Sequence, residues 1–178
     1  YSSNIDNDLC QRCFRIKHYD DLTKSHKADF DNYDILNMVN ERDDLILWVV
    51  DLFDFDSNII SGLNRHLLHK DIILVGTKRD LLPHTLGNQK LVSFIEKRLK
   101  FYGITVRGMV FTGDYGHDGA DTVLDVIQHY RKGRDVIIMG QANVGKSTLI
   151  NALAETDITI SRYPGTTLDL ISIPMEGY

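Results

Sequence analysis

Gly140-Gln141-Ala142-Asn143-Val144-Gly145-Lys146-Ser147 fits the pattern G-x-x-x-x-G-K-[ST] at every fixed position. The run Asp135-Val-Ile-Ile-Met139 before it reads as a strand, and Leu149, Ile150 and Leu153 after it read as a helix. That context gives the pattern its physical meaning. Glycine lets the backbone turn tightly and approach a phosphate, and successive N–H groups then form an anion nest at a helix N-terminus. Lys146 is placed to reach the β- and γ-phosphates, and the Ser147 hydroxyl to ligate Mg²⁺, which favours oxygen ligands. Val144, Gly145 and Thr148 complete the expected cradle.

Working outward, apolar runs alternate with helical spacing. Leu45–Val50 is a continuous apolar run, as in a strand covered on both faces. Ile59, Ile60, Leu63, Leu67 and Leu68 predict a helix, and Asp71–Val75 a second strand. Leu91, Val92, Ile95 and Leu99 mark the next helix, Ile104–Phe111 the third strand, and Val123, Leu124, Ile127 and Tyr130 another helix. Leu168–Ile173 alternates like a half-exposed edge strand. Strand and helix in alternation predict a largely parallel sheet with helices on both faces, whose ligands bind at the carboxyl ends of the strands.

Composition narrows the function classes. The chain has 178 residues, 43% of them hydrophobic and 25% charged, as in a globular protein. Its longest apolar runs are far too short to span a bilayer, and no signal pattern opens it. Cys10 and Cys13 cannot build a disulfide framework, which points to a reducing cytoplasm; a monomer without membrane contact is expected. A net charge of −5 argues against a nucleic-acid binder that uses its whole surface. The charge is uneven, however. Gln11–Lys27 holds five Lys or Arg against two Asp, and Ala28–Asp56 holds nine acidic residues against one Arg. The basic stretch carries Phe14 and Tyr19, which suits phosphate contact and base stacking; a solvated polar segment is the other reading.

Thr77-Lys78-Arg79-Asp80, at the end of the second strand, resembles the guanine-reading motif [NT]-K-x-D of the GTPases. An aspartate accepts hydrogen bonds from N1–H and the 2-amino group of guanine. Adenine presents a lone pair at N1 and has no 2-amino group, so a carboxylate there goes unpaired at a cost of about 1–3 kcal/mol. The Lys78 stem can cover the base plane. Thr77 stands where asparagine is commoner and offers a hydroxyl rather than an amide, which leaves one polar contact near the base open. Thr112 and Gly113, after the third strand, fall where GTPases carry a loop whose backbone N–H meets the guanine oxygen; a flexible glycine turn is the alternative.

The order of these motifs is unusual, because Asp80 precedes Lys146. A doubly wound domain often has its ends close together, so joining them and cutting elsewhere preserves the fold. The order therefore implies a circularly permuted GTPase: an α/β, Ras-like P-loop NTPase with a doubly wound, mostly parallel sheet.

Cys10-x-x-Cys13, the run Val-Val-Asp51-Leu-Phe-Asp54-Phe55, Thr77–Asp80, Asn143–Ser147 and Pro164-Gly165-Thr166-Thr167 together resemble the YqeH family of bacterial permuted GTPases across nearly the whole chain. The resemblance implies GTP/GDP binding, hydrolysis, and a switch role in assembling the small ribosomal subunit through the subunit or its RNA. It maps the Mg²⁺-binding threonine of the first switch onto Thr167, with Thr166 the second choice, and implies that Asn143 helps hold a K⁺ ion beside the phosphates. Lys146, Asn143 and Thr167 are thus the expected catalytic residues.

Cys10 and Cys13 have the spacing of one arm of a tetrahedral Zn²⁺ site, and the family carries another Cys pair upstream. His18 or His26 as substitute ligands, or a redox pair, are the rival readings. Residues 1–28 are accordingly expected to be the remnant of a truncated zinc-knuckle segment, and 29–178 a GTPase domain incomplete at its C-terminus. No D-x-x-G segment is found, so a gap in the sheet and slow or absent hydrolysis are expected. Two other functions remain open from the sequence: an ATP-using P-loop phosphotransferase, against which Asp80 speaks, and an RNA- or ribosome-binding module with a structural nucleotide fold.

Overall fold

A computed structural model describes residues 32–113, 117–154, 161–163 and 170–173. Its elements are α1 (Asn32–Glu41), β1 (Leu45–Asp51), α2 (Leu63–His66), β2 (Ile72–Thr77), α3 (Asn88–Tyr102), β3 (Gly108–Phe111), α4 (His117–Arg131), β4 (Val136–Met139), α5 (Lys146–Ala154), β5 (Ser161–Tyr163) and β6 (Leu170–Ile173). Short 3-10 turns occupy Asp56–Asn58 and Arg79–Leu81. The sheet order is β3-β2-β1-β4-β6-β5, with the first four strands parallel and the last two antiparallel to their neighbours.

β1 is central because its side chains can be buried on both faces. Ile46, Trp48 and Val50 point into one core with Ile35, Leu36 and Val39 of α1, Leu63 of α2, and Leu91, Ile95 and Leu99 of α3. Leu45, Leu47 and Val49 point into the other with Val123 and Ile127 of α4 and Leu149, Ile150 and Leu153 of α5. Each fully buried aliphatic or aromatic side chain contributes about 1.5–3 kcal/mol, so the doubly covered strand is the main stabilising element. The chain steps from β1 to β2 and β3 on one side, then returns to place β4 on the other. The direction of winding reverses between β1 and β4, and a crevice at such a reversal is where ligands bind.

Several expected elements differ. The apolar spacing of 59–68 yields only the four-residue α2, because Gly62 adopts φ 85°, a left-handed conformation that interrupts the helix. Ile60, Leu63 and Leu67 are buried nonetheless, while Leu68 is 61% exposed. The third strand is confined to Gly108–Phe111: Gly103 at φ 66° ends α3 with its N–H on Lys100 O, Ile104 N–H returns to Leu99 O at 2.9 Å, and the chain needs the next residues to reach the sheet. Leu170–Ile173 is an interior strand, with Ser161–Tyr163 outside it. The expected gap is also absent beside β4, which pairs directly with β6 through Val136–Ile173, Ile137–Ser172 and Ile138–Ile171. An open β4 edge would leave buried N–H and C=O groups unpaired, and β6 takes that place. α1 is an element that the sequence pattern does not announce.

The amino ends of the parallel strands are tied by charge. Asp71 accepts from Arg107 Nε at 2.7 Å and from Arg134 Nη2 at 2.9 Å. These three residues precede β2, β3 and β4, so one carboxylate links three strands at the end remote from the phosphate loop. First the Arg107 hydrogen bond and then that of Arg134 hold the Asp71 carboxyl below the usual aspartate range, against a smaller opposing effect of burial. Among the described residues no helix is long and apolar enough to cross a membrane.

Candidate functional site

The phosphate loop leaves β4 against the central strand. A Cβ on Gly140 would collide with the Val49 carbonyl oxygen, so only glycine permits this exit. Asn143 and Gly145 take φ values of 63° and 93°, the left-handed turns by which a short loop directs N–H groups inward. Val144 between them is buried in the second core and anchors the loop. α5 then begins at Lys146, with Leu149 N–H returning to Gly145 O at 3.0 Å; its first-turn N–H groups are those a helix leaves for a ligand. Lys146 is only 3% exposed, and its ammonium donates to the Gln141 carbonyl within the same loop. Ser147, Thr148 and Asn143 are exposed. A buried cation, a helix start and left-handed turns in one loop fit a phosphate group.

The base-side stretch meets this loop. Thr77, the last residue of β2, is 1% exposed, and its hydroxyl lies 2.6 Å from Val144 O and 3.1 Å from Val50 O. With one proton it donates to one of them at a time. The motif alone leaves the partner of this hydroxyl open; the structure turns it onto the phosphate loop, because β2 ends directly beside Gly145. A Cβ on Gly145 would touch Thr77 Cγ2 at 3.4 Å, which measures that approach. Thr77 is therefore the strut between the two halves of the site.

Lys78 follows at φ 59°, an uncommon conformation for a residue with a side chain. Its ammonium lies 2.5 Å from Asp51 Oδ2. Asp80 sits exposed in the next 3-10 turn. The third stretch packs on it. Thr112 N–H donates to Gly76 O at 2.7 Å and Arg79 N–H to Thr112 O at 3.0 Å, fastening the two loops. A Cβ on Gly113 would come within 3.0 Å of Asp80 N and 3.1 Å of Asp80 Oδ1, so glycine lets this loop lie against the carboxylate.

The structure thus brings Thr77, Lys78, Asp80, Thr112, Gly113 and residues 140–148 to the carboxyl ends of β1, β2, β3 and β4, in spite of their reversed order in the chain. Thr166, Thr167, Cys10, Cys13, His18 and His26 lie outside the described residues, as do residues 1–28 as a segment. Among the described residues no cluster of His, Cys, Asp or Glu is placed to hold a metal. Two contributors gain a role only from the structure. Asp51 is part of a motif in the sequence, and a lone carboxylate closing a buried strand is itself a signal. Gly76 carries no such signal; a Cβ there would come within 2.6 Å of the Leu52 side chain and 2.9 Å of Phe111.

The family model described as a 50S ribosome-binding GTPase matches residues 135–178. The YqeH protein of Bacillus subtilis is 39% identical over 177 residues, covering 96% of this chain and 48% of that protein. NO-associated protein 1, chloroplastic/mitochondrial, of Arabidopsis thaliana is 36% identical over 143 residues, covering 72% of this chain and 26% of that protein. The solved structure of YjeQ from Thermotoga maritima is 17% identical, with a TM-score of 0.44 over 71% of this chain and 46% of that one. The chain spans about half the length of the Bacillus relative and about a quarter of the Arabidopsis one.

Proposed function

We propose that this chain, 39% identical to the YqeH protein of Bacillus subtilis over 96% of its length, is a circularly permuted GTPase of that family, which binds guanine nucleotide and hydrolyses GTP as a switch in assembly of the small ribosomal subunit. One observation carries the nucleotide reading: the Thr77 hydroxyl on Val144 O joins a base-side strand to a phosphate loop that follows it in sequence.

In this reading the Asp80 carboxylate accepts from guanine N1–H and the 2-amino group, and the Lys78 stem covers the base. The Thr112–Gly113 backbone faces the guanine oxygen. The amides of Asn143, Val144 and Gly145, with Lys146 and Thr148, hold the phosphates. Ser147 and Thr167 would hold Mg²⁺, and Asn143 a K⁺ ion; when bound, such ions neutralise charge that develops on the phosphate oxygens. Lys146 adds a fixed cation already desolvated by burial, which strengthens its attraction for an anion. Residues 1–28 are read as part of a zinc-binding segment, with Cys10 and Cys13 as two of its ligands, and 29–178 as the GTPase domain.

The test is a titration with GDP and with ADP, in Mg²⁺ and in K⁺ or Na⁺. GDP binding at least tenfold tighter, about 1.4 kcal/mol, supports the guanine reading. Equal affinities, or tighter ADP, favour the phosphotransferase. Cosedimentation with separated small and large subunits, with GDP and with a non-hydrolysable GTP analogue, tests the partner. The name of the matched family model mentions the 50S subunit, so both subunits belong in the assay. Nucleotide-independent binding favours the structural module.

A further inference from the structure

Asp51 closes β1, and the chain then bends through 52–58 before re-entering the core. Asp51 N–H donates to Asn58 Oδ1 at 3.4 Å. Asn58 is buried, and its Nδ2 donates to the Asp54 carbonyl; the Ser57 hydroxyl donates to the same carbonyl at 2.9 Å. Leu52 N–H donates to Thr77 O at 3.1 Å, and the Leu52 side chain occupies the space that Gly76 leaves. Phe55 is buried between Trp48 and Phe94, with ring centroids 6.5 Å and 6.4 Å away. Asp56 takes two bonds from Arg98, at 2.8 Å and 2.6 Å. The bend is therefore braced at both ends and in the middle.

Within it the Asp51 carboxylate is fixed. Oδ1 accepts from Phe53 N–H at 2.8 Å, and Oδ2 accepts from Lys78 Nζ at 2.5 Å. The carboxylate is 14% exposed, so this charge-assisted bond is partly shielded from water. Lys78 itself lies between Thr77, which braces the phosphate loop, and Asp80. A lysine stem free in water samples many rotamers, and a ligand that needs it in one pays for that order on binding.

We infer that Asp51 is a positioning residue of the nucleotide site: anchored by the 52–58 bend, it holds the Lys78 side chain extended across the ends of β1 and β2 before a base arrives. The inference rests on the guanine reading above, since it is for the base that the stem is ordered. With its ammonium engaged by Asp51, Lys78 presents its apolar stem rather than its charge.

The experiment is a double-mutant cycle on the affinity and dissociation rate of a fluorescent GDP, using Asp51→Asn, Lys78→Met and the double variant. The amide introduced by Asp51→Asn retains an oxygen for the Phe53 N–H but offers no carboxylate to Lys78. The GDP dissociation constant of this variant is expected to rise roughly three- to tenfold, the scale of one side chain's lost order, mostly through faster release. Melting of the nucleotide-free protein is expected to be unchanged. In the Lys78→Met background the same substitution is expected to add nothing, because the two groups act as one unit. Unchanged GDP affinity in Asp51→Asn, or losses that simply multiply in the double variant, overturn the inference. If Asp51→Asn melts early, Asp51→Glu, which keeps the charge but displaces it by one methylene, takes its place in the cycle with the same expectation. Wild-type protein that does not bind GDP overturns the guanine reading itself, and this role with it.

Discussion

Replacing Thr77 by valine removes one hydroxyl from the junction of the phosphate loop and the base-side strand and changes little else. Valine keeps the branched shape and the strand preference of a residue that is 1% exposed. What is lost is the proton shared between Val144 O at 2.6 Å and Val50 O at 3.1 Å. Leaving a buried carbonyl without its donor costs about 1–2 kcal/mol. Expressed wholly in ligand affinity, that is roughly a five- to thirtyfold loss. Part will instead appear as global stability, read as a lower urea midpoint at unchanged slope. The informative quantity is a ratio. The loop serves phosphates common to all nucleotides, so Thr77→Val is expected to weaken GDP and ADP by the same factor, measured by competition against a fluorescent nucleotide. Thr77→Ser, which retains the hydroxyl, is expected to bind much as wild type does. If Thr77→Val weakens GDP selectively, the hydroxyl touches the base, and the strut assignment is wrong.

Gly140→Ala directs a methyl at the Val49 carbonyl oxygen in the central strand, well inside contact distance. Neither backbone can yield easily, so a loss of about 1–3 kcal/mol is expected in urea unfolding; wild-type stability in this variant refutes the close approach. Asp71 supplies a pH dependence of known sign. Its folded carboxyl titrates below the unfolded value of about 3.9, chiefly through Arg107 and then Arg134. The stabilisation is therefore complete above that unfolded value and is lost as pH falls through the lower folded one. Asp71→Asn is expected to be less stable at neutral pH by roughly 0.5–1 kcal/mol, a partly exposed pair being worth no more, with the deficit closing in acid. A deficit that stays constant down to about pH 2 contradicts the assignment.

Some features are legible in the sequence because their physics is local. The phosphate loop needs its glycines, its lysine and its serine in fixed order between a strand and a helix, and the structure has that arrangement. Leu45–Val50 reads as a strand buried on both faces because it lacks polar alternation. Other features depend on what arrives from elsewhere in the chain. Thr77 belongs to a recognisable motif, yet its hydroxyl partner is Val144, 67 residues further on, and only the packing of β2 beside the loop selects it. Ile35, Leu36 and Val39 sit in an acidic stretch and become core residues only when the sheet supplies a surface for α1. At 59–68 the hydrophobic spacing matches a helix, but Gly62 makes a left-handed turn, and the short α2 with its irregular flanks buries Ile60, Leu63 and Leu67 while Leu68 stays exposed. Ser161–Tyr163 is too short and polar to show a strand period, so Leu170–Ile173 looks like the edge.

The central claim is that Asp80, ahead of the phosphate loop in the chain, reads the base bound beside that loop. The most direct measurement compares GDP and xanthosine diphosphate on wild type and on Asp80→Asn. Xanthine carries a carbonyl where guanine has its 2-amino group, so an asparagine amide can donate where the aspartate accepted. The account predicts that wild type prefers GDP by at least about tenfold, or 1.4 kcal/mol, and that Asp80→Asn inverts the preference. The same preference in both proteins, with Asp80→Asn still folded, would contradict it.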